Sequence, residues 1–245
     1  MKLKVSVLNL QDKEIRLQVY LARCGVASRR SAEAIILDRR ISVNNVIIDR
    51  LGTKVFPGDL VCFDGKEIYP EEKKRYVLLY KPSGYVCSLS DEKNRQTAWD
   101  LLKPHFTERL YNVGRLDMFS EGLILFTNDG EFAQKLSHPS SQTEKEYIVE
   151  GSLPIPPVLI EKFQKGIRID NVFYKCKSAE LLGRRRARIV LIEGKNREIR
   201  NVFDEFNIGI KLLARIRIAH IKSEGLLQGQ FRELTDKEVA LFQKT

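Results

Sequence analysis

Two hydrophobic periods divide the N-terminal part of the chain. In "IRLQVYLARCGVASRRSAEAIILDRR", Leu17, Leu21 and Cys24 recur at helical spacing. Gly25 suits a helix stop and Ser28 an N-cap, so the pattern predicts a short helical hairpin whose second helix runs to about Asp38. The period then falls to two: Ile41 and Val43 precede Asn44-Asn45, a pair that tolerates positive φ, and Val46 and Ile48 follow. Small β ribbons are expected up to "PGDLVCFDG". The charged stretch "KEIYPEEKKR", with Pro70, interrupts the pattern. It predicts one domain over residues 14–70, a linker at 71–75 and a second domain over 76–245.

The second region opens with "RYVLLYKPSGYVCSL", read as a strand, a turn and another strand. Strand-like runs recur at "GLILFTN", "KEYIVEG", "CKSAELL", "RARIVLIEG" and "IKLLARIRIAHI", and "GRRRAR" reads as a basic hairpin turn. Helical patterns fall at "GEFAQKLS", "PPVLIEKFQKG", "NREIRNVFDEFN" and "TDKEVALFQ", where Thr235 and Glu238 have capping-box spacing. Grouped strands with interspersed helices predict an α+β protein. It joins a small helix-hairpin/β domain to a larger one built on a mixed, largely antiparallel sheet flanked by helices.

Charge narrows the choice of partner. The 245 residues carry a formal net charge of +10, which favours a polyanion, either nucleic acid or an acidic membrane surface. No stretch approaches the roughly 18 consecutive apolar residues that span a bilayer, and "MKLKVSVLNLQDKE" lacks the apolar core of a secretion signal. A cytoplasmic protein without a membrane role is expected. The four cysteines and three histidines are dispersed without metal-ligand spacing, so no metal site is expected. Without a GxGxxG-type turn, an adenosyl-dependent RNA methyltransferase is disfavoured.

Two groups of residues invite a chemical reading. Arg16, Arg23, Arg29, Arg30, Arg39 and Arg40 lie on or beside the predicted helical hairpin, where they suit either a phosphate-binding face or a solvated one. Asp117, in "GRLDMFSEGLILFTNDG", precedes an apolar run that should be buried. A lone turn carboxylate is ordinarily structural. A strand end is also where a rigid scaffold holds a catalytic group, given a cation to keep the carboxylate ionised.

Longer matches add a resemblance. "RLQVYLARCGVASRRSAEAII", "RRISVNNVII" and "LGTKVFPGD" together resemble the small RNA-binding module of the fourth small-subunit ribosomal protein, with Asn45 where glycine is usual. "LYNVGRLDMFSEGLILFTNDGEFAQKLSHP" resembles the signature block of RNA pseudouridine synthases, in the RsuA/RluB-type ribosomal branch. "LYKPSGYVCSLSDEKNRQTAWDLL", "EKEYIV", "EGKNREIRNVF", "LLARIRI" and "FRELTDKE" extend it in order over nearly the whole chain.

The resemblance implies isomerisation of uridine to pseudouridine in ribosomal RNA, without metal or small-molecule cofactor, by a cytoplasmic monomer. It makes Asp117 the catalytic carboxylate, as nucleophile or base, with Tyr147 as aromatic partner and Arg200 as basic partner. Arg197 would reach phosphate or share the site, and Arg115 would fill the space left by a flipped base. Glu198, Asn201 and Ala219-His220 depart from the usual glutamine, basic residue and Gly-Pro. The first two are expected to reduce positive charge on the RNA face. The competing reading is a catalytically silent RNA-binding or ribosome-assembly factor, which would have little reason to keep the Asp, Tyr and Arg set.

Overall fold

The computed structural model describes residues 14–223 and 225–244. The chain separates into two compact units, one running up to Arg75 and also holding Asn128–Gly130, the other comprising Tyr76–Thr127 and Glu131–Thr245. Within the first unit, Asn128 joins the segment after Pro70 by its side chain: its amide donates to the Glu71 carboxylate and the Lys73 carbonyl.

The first unit starts with β1 (Ile15–Arg16), α1 (Leu17–Arg23) and α2 (Arg29–Leu37). Helix α2 begins where Ser28 Oγ accepts the amide of Ser31 at 3.1 Å, satisfying one of the amide groups left open at a helix start. Strands β2 (Ile41–Val43) and β3 (Val46–Ile48) form the expected hairpin, and Asn44 and Asn45 both take positive φ, 50° and 67°. Next come β4 (Lys54–Val55), β5 (Val61–Phe63) and β6 (Lys66–Glu67). The sheet order is β3-β2-β5-β6, with β4 paired to β1. Leu17, Leu21, Ile36, Ile41, Val55 and Val61 make its buried core.

The second unit contains β7 (Tyr76–Lys81), β8 (Tyr111–Val113), β9 (Glu121–Thr127), α3 (Gly130–Ser137) and β10 (Lys145–Gly151). It continues with α4 (Pro157–Lys165), β11 (Ile167–Ile169), β12 (Val172–Tyr174), β13 (Ser178–Gly183) and β14 (Arg186–Leu191). The chain closes with α5 (Glu198–Glu205), β15 (Ile210–Ile218), β16 (Ile221–Lys222), β17 (Phe231–Glu233) and α6 (Asp236–Lys244). Seven strands follow the order β13-β14-β10-β15-β9-β7-β17, with β8 and β16 attached at the side. All pairings in this sheet are antiparallel except β9 with β15.

The sheet is covered on both faces, which explains the unbroken apolar run after Asp117. Ile124 and Phe126 of β9 join a core with Leu159 and Phe163 of α4 and Val202 and Phe203 of α5. Leu123 and Leu125 pack into a separate core with Phe132 of α3 and Phe242 of α6. Alternate side chains of one strand thus enter two cores, so both parities must be apolar. At the C-terminal end the capping box forms: the Thr235 amide donates to Glu238 Oε2 at 2.8 Å and the Glu238 amide to Thr235 Oγ1 at 3.3 Å.

One expected strand is not formed. After β7, "YVCSL" makes only an isolated bridge, Val86 to Thr97. Its neighbouring backbone groups are drawn elsewhere: the Gly84 amide donates to Met118 O, and Lys81 Nζ takes the carbonyls of Pro82 and Tyr85. A loop results, and it borders the site around Asp117.

Candidate active site

Asp117 opens a tight turn in which the Ser120 amide donates to the Asp117 carbonyl at 3.0 Å. Gly114, at φ +72°, lets the chain enter this segment from β8. Gly122, at φ +104°, lets it leave: a Cβ there would lie 2.2 Å from the Arg215 carbonyl oxygen. The parallel register pairs Gly122 with Arg215. Any side chain at 122 would push β9 and β15 apart and displace the turn just before them.

Three successive carbonyls of the turn are held. That of Asp117 accepts from Ser120, and that of Met118 accepts from the Gly84 amide at 2.8 Å and Lys81 Nζ at 3.2 Å. The carbonyl of Phe119 accepts from Arg200 Nη2 at 3.0 Å. The same Nη2 donates to Ser120 Oγ at 3.1 Å, while Arg200 Nε lies 3.6 Å from Asp117 Oδ2. One guanidinium therefore spans the turn and faces its carboxylate. Burial lowers the Arg200 pKa and the Asp117 charge opposes that shift. The Asp117 side chain stays 35% exposed, so its carboxylate remains open to a ligand.

A cleft of about 440 Å³ surrounds the carboxylate, lined by residues that include Arg95, Arg115, Asp117, Phe119, Arg197 and Arg200. That volume lies within the usual range for small-ligand sites. Four arginines against one carboxylate leave it electropositive, even though the Arg95 guanidinium is held by Asp91, which lies outside the lining. The structure thus brings Asp117, Arg200, Arg197 and Arg115 together. Arg197 is the exposed N-cap of α5, at φ +50°, and Arg115 is also exposed.

Tyr147 is placed differently. It is buried, is not among the residues lining the cleft, and its hydroxyl lies 3.5 Å from Arg215 Nη1. It shares a buried cluster with Cys87 and Leu116, which do line the cleft. An exposed stacking face for a base is not what this arrangement presents, because the central strand β10 turns the ring into the core.

Among the arginines of the first unit, Arg16, Arg29, Arg30, Arg39 and Arg40 are exposed and Arg23 is partly buried. Arg40 is bound bidentately by the Asp64 carboxylate and stands 4.7 Å over the Phe63 ring. The departures from the family pattern also acquire structural reasons. Glu198 is buried at the start of α5 and accepts the Lys195 amide at 3.1 Å, so the expectation that it thins charge on an RNA-facing surface is corrected. Asn201 donates to Tyr174 Oη at 2.9 Å. Ala219 takes φ +49°, a conformation that favours glycine, and His220 packs against Phe242.

Two buried cations near the site escaped the sequence reading. Arg215 donates from Nε to the Leu123 carbonyl at 2.6 Å, while its Nη2 is buried without a hydrogen-bond partner among the described residues. Lys81, with no exposed surface, donates to the carbonyls of Pro82, Tyr85 and Met118 at 2.8, 3.0 and 3.2 Å. The signal was a lone cation ending an apolar strand. Burial pushes its ammonium down to about 8, whereas an unfolded lysine titrates near 10.4. Between those values the unfolded chain binds more protons, so the Lys81 contribution to stability rises with pH across this window, by up to about 3 kcal/mol.

Lys81→Met should abolish that rise, take this donor from the Pro82 and Tyr85 carbonyls and leave Met118 only the Gly84 amide. Urea unfolding of both proteins at pH 7 and pH 9.5 reads the effect: wild type should gain on the variant at the higher pH. Equal differences at the two values would refute the assignment. Turnover should fall roughly tenfold as one of the two donors to the Met118 carbonyl is lost.

A smaller cavity of about 250 Å³, lined in part by Lys135, Thr143, Glu144, Arg217 and Phe242, has no catalytic arrangement. Its Arg217 is consumed by Glu144 and Glu146, at 3.1 and 2.7 Å.

Comparison with known proteins gives the family. Residues 75–205 match the family described as RNA pseudouridylate synthase, and residues 15–61 match the S4 domain. The chain is 43% identical over 225 residues to an uncharacterized RNA pseudouridine synthase of Borreliella burgdorferi, covering 90% of each chain. It is 37% identical over 230 residues to the ribosomal large subunit pseudouridine synthase B of Bacillus subtilis, covering 91% of this chain and 93% of that one. A pseudouridylate synthase crystal structure shares the fold, with a TM-score of 0.67 at 24% identity over 93% of this chain and 99% of the other. With the matched segment spanning more than half of the sequence and relatives aligned nearly end to end, the chain belongs to the RNA pseudouridylate synthase family and carries an S4 domain at its N-terminal end.

Proposed function

We propose that this enzyme isomerises a specific uridine of large-subunit ribosomal RNA, with Asp117 acting on the ribose of a flipped-out nucleotide. The observation that carries this reading is the Asp117 carboxylate, open to the cleft and faced by Arg200 on a turn whose first three carbonyls are held. The reaction breaks the bond between uracil nitrogen 1 and ribose carbon 1 and rejoins that carbon to uracil carbon 5. The carbon 5 hydrogen leaves as a proton and nitrogen 1 gains one, so no atom is lost overall. One ionised carboxylate beside a fixed cation suffices for such chemistry, where a hydrolytic glycosidase pairs two carboxyl groups.

The choice of RNA is supported by the net charge of +10, the S4 domain and the name of the Bacillus relative. In this reading the exposed arginines of the first unit contact phosphates. Arg115 and Arg197 hold the RNA at the cleft, and Tyr147 contributes through Arg215. The enzyme acts as a cytoplasmic monomer. Among the described residues no helix is long and apolar enough to cross a membrane. The complete Asp117–Arg200 pair disfavours a silent assembly factor.

The test is tritium release from unmodified ribosomal RNA transcripts made with uridine labelled at carbon 5. Release from the large-subunit transcript at a single position is expected. Release from the small-subunit transcript alone would overturn the choice of substrate, and release from neither would overturn the reading.

A further inference from the structure

We infer that Phe119 is a stacking platform for the nucleobase that flanks the target uridine, and so a determinant of which uridine is modified. The inference rests on the reading above that RNA enters the Asp117 cleft. Phe119 lines that cleft and is 68% exposed. A single exposed aromatic is unremarkable in itself. This one sits in the turn that Asp117 opens and Ser120 closes. Ser120, the next residue, is 1% exposed, and the Phe119 carbonyl is bound by Arg200.

The backbone on both sides is therefore immobilised while the ring is left in water. With Met118 O held by Lys81 and the Gly84 amide, the turn cannot roll over to bury the ring without breaking several hydrogen bonds. Such a ring is a preorganised apolar face at the rim of an electropositive cleft. Arg115 and Arg197, both exposed, line the same cleft and suit phosphates.

The complementary ligand is an unstacked base of single-stranded or flipped RNA, which binds aromatic rings by its face and phosphates by arginine. The target uracil itself must lie over Asp117, so the outward Phe119 ring meets the base beside it. Flipping the target unstacks that neighbour on one side, and the ring replaces the lost stacking partner. Sequence preference would follow because purines stack more strongly than pyrimidines.

The experiment compares wild type, Phe119→Ala, Phe119→Trp and Phe119→Leu on the tritiated large-subunit transcript. Filter binding of the same transcript is measured for each variant in an Asp117→Asn background. Alanine should raise KM and weaken binding by about tenfold, the scale of one base–aromatic stack, with a smaller effect on kcat. Tryptophan should restore both, whereas leucine, equally apolar but without a flat face, should resemble alanine. Unchanged KM and binding in the alanine variant, or full rescue by leucine, would overturn the inference. Failure of wild type to release tritium would instead count against the proposed function, and the binding series would still decide the role of Phe119. Because the ring is exposed, thermal melting should be the same for all four proteins.

Discussion

Asp117→Asn should eliminate pseudouridine formation, by at least about 10⁴-fold, while leaving RNA binding intact or slightly tighter. Asparagine keeps the shape of the side chain, and Arg200 retains its bonds to the Phe119 carbonyl and the Ser120 hydroxyl. The turn therefore persists, and only the negative charge facing the ribose is lost. Removing that charge from a cleft lined by arginines reduces repulsion toward phosphate. Tritium release and filter binding on the same preparation separate the two effects. Substantial turnover by the variant would show that another group performs the chemistry, and loss of binding with loss of the folded state would show that Asp117 is structural.

Arg200→Lys is expected to have the second largest effect, lowering kcat by roughly 10²- to 10³-fold with little change in KM. The guanidinium reaches three groups at once: the Asp117 carboxylate, the Phe119 carbonyl and the Ser120 hydroxyl. A lysine ammonium is a compact point charge and cannot hold that planar arrangement. The carboxylate would keep a nearby cation but lose its fixed orientation. Leaving the Phe119 carbonyl or the buried Ser120 hydroxyl poorly satisfied should also cost about 1–2 kcal/mol of stability, read by urea unfolding. Equal kcat in the lysine variant would mean that charge alone matters at this position.

Much of the local structure was legible in the chain because its causes are local. Ser28, Asn44-Asn45 and the Thr235–Glu238 pair act through side-chain or backbone contacts only a few residues away, so their turn and cap chemistry could be read directly. The apolar run of β9 was also visible, and its burial on both faces followed from its lack of alternation. The strand expected over "YVCSL" was misread for the complementary reason. Its hydrophobic residues are strand-like, but Lys81 takes the Tyr85 carbonyl, Val86 bonds Gln96 and Ala98, and the adjoining Gly84 amide goes to Met118, which is remote in sequence.

The site divides along the same line. Residue types and order in "GRLD" and "NREIR" singled out Asp117 and Arg200 through their resemblance to a family, whereas periodicity alone left Asp117 an ordinary turn residue. Their meeting depends on α5 and β9 packing into one core, where Ile199 and Phe203 join Ile124 and Phe126. Tyr147 shows the converse: it could be named from its motif, but only the pairing of β10 with β15 determined that its hydroxyl faces Arg215. Lys81 and Arg215 gained their roles in the same way, as cations carried inside by apolar strands.

By itself the sequence determined the helices and the longer strands, several caps and turns, the basic charge and the identity of the candidate groups, since these depend on residue chemistry and near neighbours. Tertiary structure alone decided which of those groups share a cleft, which cations are buried and that Phe119 stays in water at the cleft. Those outcomes come from contacts between residues far apart in the chain, where the approach of two strands can turn on the absence of a single Cβ at Gly122.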